Sequence, residues 1–229
     1  TYSSYKATNY EIGVKGRTDF LAYTVSAFYL DWQDPQLNTT SDWYGFYMAV
    51  NGDSAKTQGL EVELDGYFAE TWRYRVGYTY VKAELSDDFI SPQQGGLIAE
   101  DGAKLPGTPE NVLSLSLEKT WTVASDADVV ARVNGYYQDE SENFINQDAP
   151  QAQTHDEFWL WSASVSYLTP NWRVALYGKN LGDEEGVTGA FPSDYWSYDT
   201  GVFENWYGNG NRQMITQPRT IGLQASYMF

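Results

Sequence analysis

Cysteine is absent from this chain, and histidine occurs once, at His155. Without thiolates there is neither a disulfide framework nor a cysteine-ligated metal centre. A single imidazole cannot assemble a transition-metal ligand set within the chain. Cations are scarce: 14 Lys and Arg stand against 31 Asp and Glu, for a formal net charge of -17 and a pI near 4.2. Such a chain is repelled by nucleic acid, and no basic stripe is present to track phosphates. Long apolar runs are missing too. Mean hydropathy is -0.51, and nothing approaches the ~20 apolar residues of a transmembrane helix. The opening Thr1-Tyr2-Ser3-Ser4-Tyr5-Lys6 is not a charged head followed by an apolar core. For an exported protein, the native N-terminus is therefore expected to have been removed or to lie in another piece.

What the chain does contain is aromatic and periodic. Aromatic residues make up 17% of its 229 residues, with 19 Tyr and 9 Trp. Side chains of a strand change faces at every step, so strict alternation marks one apolar and one polar wall. Ile221, Leu223, Ala225, Tyr227 and Phe229 oppose Thr220, Gly222, Gln224, Ser226 and Met228. Trp72, Tyr74, Val76, Tyr78 and Tyr80 oppose Arg73, Arg75, Gly77 and Thr79. The same pattern recurs around Tyr10–Val14, Leu21–Tyr29, Leu60–Leu64, Leu113–Leu117, Val129–Tyr137, Trp159–Tyr167 and Trp172–Leu176. This predicts about nine strands, and helical spacing fits none of them.

Connections alternate between two kinds. Short ones are expected at Arg17–Asp19, Glu70–Thr71 and Thr169–Asn171, with a slightly longer one at Thr120–Asp126. Long ones are expected at Gln33–Asp42, Ser86–Thr108, Ser141–Asp156 and Gly182–Gln213. Short turns on one rim and long loops on the other are the pattern of an outer-membrane β-barrel, in which only alternate residues meet lipid and averaged hydropathy stays polar. Aromatic girdles are expected at both rims. Phe20, Phe68, Trp72, Tyr167, Trp172 and Phe229 would form the periplasmic one, and Trp32, Tyr80, Tyr137 and Trp159 the other. A last strand that descends to the periplasm, in an odd total of about nine, makes the first strand start outside. The expectation is a fragment that does not close by itself.

Several patterns resemble the C-terminal half of TonB-dependent outer-membrane receptors. They are Tyr10-Glu11-Ile12-Gly13-Val14-Lys15-Gly16, Gly59-Leu60-Glu61-Val62-Glu63-Leu64, Leu105-Pro106-Gly107-Thr108-Pro109, Gly178-Lys179-Asn180-Leu181 with Asp183, and Pro218-Arg219-Thr220-Ile221-Gly222-Leu223 running to Phe229. The resemblance implies an all-β fold: an antiparallel transmembrane β-barrel, with residues 1–229 as the C-terminal part of a plugged, roughly 22-stranded cylinder. It implies that the plug and the front strands are absent from this chain. It also implies the partners of the parent receptor: outer-membrane lipid, the missing plug and strands, the TonB energy-coupling complex, the barrel assembly machinery and a small-molecule nutrient. Tyr227 and Phe229 would carry the membrane-assembly signal. Rival expectations are a passive porin, which needs no plug, and a soluble all-β carbohydrate-binding module, whose apolar walls would meet in a two-layer core.

No catalytic residue, cofactor or metal site is expected, and His155 reads as a solvated loop residue. Asn38-Thr39-Thr40 matches a glycosylation acceptor by coincidence in a bacterial export setting. The acidic runs Asp87-Asp88, Asp139-Glu140-Ser141-Glu142 and Asp183-Glu184-Glu185 read as solvated faces rather than cation sites. On the polar wall, Glu61, Glu63, Arg73, Arg75, Arg132 and Arg173 are expected to face the lumen and the plug. In the last long loop, Asp194, Tyr195, Trp196, Tyr198, Asn205, Trp206 and Tyr207 interleave rings with hydrogen-bonding groups, an arrangement suited to a flat ligand face with hydroxyls. Strongly acidic loops repel anionic ferric chelates, which tilts the expectation towards a neutral oligosaccharide over a ferric siderophore.

Overall fold

Alternating ring-bearing and polar residues build strands from one end of the chain to the other. The computed structural model describes residues 3–40, 47–90, 95–148, 152–191, 194–197, 202–205 and 212–229, with the backbone alone described at 38–40, 47–48, 191, 194–197 and 202–205. In chain order, β1 (Lys6–Arg17) and β2 (Leu21–Gln33) are followed by a loop ladder, β3 (Gln36–Thr40) with β4 (Tyr47–Asn51). Next come β5 (Ser54–Ala69) and β6 (Trp72–Leu85), then a short ladder of β7 (Phe89–Ile90) with β8 (Leu97–Ala99). β9 (Asn111–Ala124) and β10 (Ala127–Gln138) precede β11 (Ser141–Glu142) with β12 (Thr154–His155). β13 (Phe158–Leu168) and β14 (Trp172–Lys179) lead into β15 (Val187–Phe191), β16 (Asp194–Ser197), β17 (Val202–Asn205) and β18 (Arg212–Ile215), and β19 (Thr220–Tyr227) ends the sheet.

Nine of these strands form one antiparallel meander in the order β1-β2-β5-β6-β9-β10-β13-β14-β19. The expected strand count is therefore observed, but the connections differ in detail. The β9–β10 hairpin turns tightly at Ser125 and Asp126, because strand pairing continues through the Thr120–Ala124 stretch read as loop. The long connections carry ladders of their own, and β5 begins at Ser54, well before the alternation becomes obvious.

The register makes both walls continuous. One row crosses eight strands as Leu21, Gly66, Tyr74, Leu117, Val133, Ala163, Gly178 and Ile221. The row behind it, on the other face, runs Arg17, Ala22, Asp65, Arg75, Ser116, Asn134 and Ser162. A slip of one residue would exchange the two faces wholesale, so this consistency is what nine cooperating strands require. The apolar face stays open: Ile12, Leu176, Ile221 and Leu223 are all exposed on it. The greasy sides do not meet one another across a two-layer core, contrary to the soluble rival.

Rings gather at the short-turn rim as expected. Phe68 stacks on Trp72 with centroids 5.4 Å apart, helped by the bulge between Tyr67 and Ala69. Trp172 packs on Tyr227 at 4.8 Å, and Phe229 meets Tyr227 edge-on at 5.1 Å. At the long-loop rim Tyr137, Trp159 and Trp161 stack in succession. Trp32 is a correction. It lies opposite Ala7 and Ala55 on the other face and packs against a buried cluster instead of joining the girdle.

That cluster is the principal core. Ala55, Ala83 and Leu85 come from the tops of β5 and β6; Leu37 and Val50 from the first long loop; Phe89, Ala99 and Leu105 from the second; Ile145 from the third. It sits at the long-loop end on the otherwise polar face. Three loops are thus held together by their own hydrophobic burial.

Candidate functional site

The polar face begins as a consequence of period two. Odd positions of β5 and β6 place Glu61, Glu63, Asp65, Arg73 and Arg75 on one side, and even positions of β10 add Arg132. Arg73 makes a two-pronged contact with Asp65, Nε to Oδ1 at 2.9 Å and Nη2 to Oδ2 at 2.7 Å. Arg75 Nε adds a third bond to Asp65 Oδ2 at 3.2 Å. Planar guanidinium against planar carboxylate is the strongest geometry available to such a pair. One strand pair further on, Arg132 donates from both Nε and Nη2 to Glu118 Oε2.

The six expected polar-wall residues therefore share a face, but with different surroundings. Arg73 and Arg75 converge on one acid, and Arg132 on another. Glu63 lines an open concavity with Lys15, Arg17, Thr24, Asp65, Arg75 and Ser114. Glu61 accepts from Ser26 Oγ at 3.4 Å. Arg173 stands apart at the short-turn end, opposite Leu168 and Ser226. Asp65 is the residue that single-residue reading missed as the hub. The turn alone does not give this away: a two-residue Glu70–Thr71 turn would set Asp65 opposite Val76, and the bulge between Tyr67 and Ala69 shifts the register so that Asp65 falls opposite Arg75.

The aromatic loop is carried on the β15–β18 ladder. At its tip the backbone pairs Asp194 with Asn205, Tyr195 with Glu204 and Trp196 with Phe203. Tyr198, Trp206 and Tyr207 lie outside the described residues. Entry to this loop is organised by Asn180, which is buried with a positive φ of 46°. Its Nδ2 donates to the carbonyls of Glu184 and Gln217 at 2.9 Å each, and its Oδ1 accepts from Glu184 N. Asp183 accepts from Arg219 N at 2.9 Å and from Arg219 Nη2 at 3.3 Å. Two sequence patterns that are far apart in the chain thus meet as one clasp at the base of the loop. In the second long loop, Leu105 fills the buried cluster while Gly107, at φ 72°, donates its N–H to Glu142 O at 2.7 Å.

Several acidic-loop residues act as internal staples. Asp87 accepts from Ser54 Oγ at 2.5 Å and Asp88 from Asp101 N at 2.9 Å. Asp139 accepts from Asn111 Nδ2 and from the Tyr137 hydroxyl. Among the described residues no group of three acids or imidazoles is placed to hold a metal ion. His155 is a second correction: it is buried in the β11–β12 ladder with Nε2 unpartnered, and burial holds its imidazole below the ordinary value. Loop ladders were invisible to the alternation, so a buried loop histidine was too. Burial also pushes the Glu142 carboxyl up. At the chain end, Met228 N donates to Asn171 O, and Asn171 Nδ2 returns a bond to Met228 O, fixing Tyr227 and Phe229 at the rim.

Comparison with known proteins fits this architecture. The family described as "TonB dependent receptor-like, beta-barrel" matches residues 2–181. A curated relative from Acinetobacter baumannii, named a probable TonB-dependent siderophore receptor PiuA, is 25% identical over 198 residues. That match covers 83% of this chain and 25% of the relative, so the chain spans about a quarter of that protein's length. The ferric yersiniabactin uptake receptor FyuA from Yersinia pestis superposes with a TM-score of 0.75 at 17% identity, covering 100% of this chain and 30% of FyuA. The copper transporter OprC gives 0.71 at 16% identity, covering 100% and 32%. At such identities the structural matches speak to fold alone. The family is one of receptors, not enzymes, and its barrels lie in the outer membrane as multi-pass β-strands. By the extent of the family match, its order of strands and its two-faced sheet, this chain belongs to the TonB-dependent receptor family, as part of its β-barrel.

Proposed function

We propose that residues 1–229 form the C-terminal portion of the barrel of a TonB-dependent active transporter, a plugged, roughly 22-stranded cylinder, that brings a scarce small-molecule nutrient across the outer membrane. The observation that carries this reading is the single nine-stranded sheet, with an open apolar face backed by a face of paired charges. The apolar face meets lipid. The polar face lines the lumen, where Arg73, Arg75, Arg132, Arg173, Glu61 and Glu63 meet the plug. Uptake then draws on the TonB energy-coupling complex through the rest of the receptor, and Tyr227 and Phe229 present the end of the chain to the barrel assembly machinery.

For the nutrient, a ferric siderophore is the better reading. The A. baumannii relative aligned over 83% of this chain is named for a siderophore. The oligosaccharide expectation has no comparable support. The net charge of -17 still favours a neutral complex over a strongly anionic one. The test is uptake by cells carrying or lacking the receptor gene, comparing ⁵⁵Fe bound to siderophores of different charge with labelled malto- and xylo-oligosaccharides. Gene-dependent, TonB-dependent iron uptake is expected. Gene-dependent uptake of a sugar with none of iron would reverse the choice, and uptake that persists without TonB would favour a passive porin.

A further inference from the structure

The lipid-side face carries one charge where none is expected. At the long-loop end this face bears a charged band of Lys6, Asp31, Lys56, Lys82 and Glu84. Below that band, among the described strand residues of the face, Lys119 is the single Lys, Arg, Asp or Glu. It sits on β9 opposite Trp72 and Ala131, with Leu117 before it and Trp121 after it on the same side. Its Nζ lies 5.1 Å from the Trp72 ring centroid and 5.8 Å from that of Trp121. It also donates to Thr71 Oγ1 in the two-residue turn between β5 and β6. Among the described residues no carboxylate pairs with it.

These facts fix the depth of the amine. A lysine at the bilayer midplane of a barrel costs about 2–4 kcal/mol, falling to about 0–1 near the interface. A stem that runs along apolar surface to place the ammonium among rim indoles and a turn hydroxyl is the favourable arrangement. Ring faces and a neutral hydroxyl do not neutralise the charge. An ammonium has three donors and one is used by Thr71, which leaves donors for an anionic oxygen arriving from the membrane side. The anion available at that rim is the phosphate of the surrounding lipid, whose acyl chains would lie along Leu117, Val133 and Val165 on the same face.

We propose that Lys119, flanked by Trp72 and Trp121 and braced by Thr71, holds the phosphate of a glycerophospholipid in the periplasmic leaflet. The proposal rests on the apolar face being the lipid face. It is tested on the complete receptor purified from outer membranes, by native mass spectrometry during titration with dioleoylphosphatidylglycerol, dioleoylglycerol or lipid A. Wild type should retain phosphatidylglycerol about fivefold more tightly than K119Q, with K119R close to wild type and K15Q, on the polar face, unchanged. Equal retention by wild type and K119Q would overturn the proposal. So would dioleoylglycerol binding as tightly as phosphatidylglycerol, which would reduce the site to apolar packing, or a preference for lipid A, which would put it in the wrong leaflet. Should K119Q fail to show heat-modifiable gel mobility, ¹⁵N–³¹P dipolar dephasing in wild-type receptor labelled at lysine Nζ and held in phosphatidylglycerol bilayers decides. Dephasing of a lysine signal that K119R removes supports the site, and its absence sinks it. If the lipid-face assignment itself is wrong, L115R will insert into vesicles as well as wild type, an outcome separate from any of these.

Discussion

Asn180 shows how much one side chain can organise. Its amide satisfies three backbone groups at the base of the last long loop while its own backbone sits at positive φ, a conformation that asparagine tolerates better than most residues. N180A leaves two carbonyls and an N–H without these partners in a part-buried place. The expected loss is about 2–4 kcal/mol, seen as faster amide exchange across 183–187 and 215–219 with the nine-stranded sheet unaffected. Gly59 makes the opposite demand, for emptiness. A Cβ there would collide with the Tyr80 carbonyl and come within 2.5 Å of Phe28 Cζ. G59A should cost about 1–3 kcal/mol, read as a lower urea midpoint for the barrel refolded into vesicles. The Asp65 cluster is a counter-case. Its side chains remain substantially exposed on the open sheet, and exposed ion pairs contribute about 0–1 kcal/mol. D65N should leave that midpoint nearly unchanged, so an effect on uptake would point to recognition rather than folding.

At the scale of elements, the long loops behave as two groups. The first three share the Leu37, Val50, Phe89, Leu105 and Ile145 cluster, and Phe89 is 1% exposed at its centre. F89A should cost about 3–5 kcal/mol and raise exchange in 36–40, 47–52, 97–105 and 144–146 together, whereas the β15–β18 ladder keeps its protection. Independent changes in those loops would refute the shared core. The β11–β12 ladder adds a pH dependence. His155 is neutral when buried, so the unfolded ladder binds more protons as pH falls below its ordinary value of about 6.5. Its stability is complete above that pH and declines as acid is added. Glu142 acts with the opposite sign, because its raised value makes the folded ladder hold its proton more tightly. Intrinsic-rate-corrected protection at 141–142 and 154–155 should therefore fall between pH 7 and pH 5.5, and H155F should flatten the change. The loop ladders were not legible in the sequence, because two-residue ladders have no period to detect. Trp32 looks like a girdle ring from its place at a strand end, although its even position against Leu21, Tyr23 and Tyr29 already puts it on the other face.

For the molecule as a whole, the medium outside the apolar face is the controlling variable. Hydrocarbon penalises a charge that the lumen tolerates. L115R on the apolar face of β9 should cost about 2–4 kcal/mol in vesicle refolding, while T79R, opposite Glu61 on the polar face, should cost little. Comparable costs for the two would overturn the assignment of faces. Among the described residues the outer sides of β1 and β19 pair with no further strand, and in hydrocarbon such edges need partner strands.

The sequence by itself determined the strand number, the two faces and the rim of rings, because period-two alternation is a local property that every strand writes out in full. It also placed Arg73, Arg75 and Arg132 on the polar side, since a residue's face follows from parity alone. Only the tertiary structure decided that Asp65 gathers two arginines, that three loops share one core, that Asn180 and Arg219 meet as a clasp and that Lys119 stands between two indoles. Each of these depends on register between strands or on contacts between distant loops. Those are set by how turns, bulges and burial settle together, and no single segment encodes them.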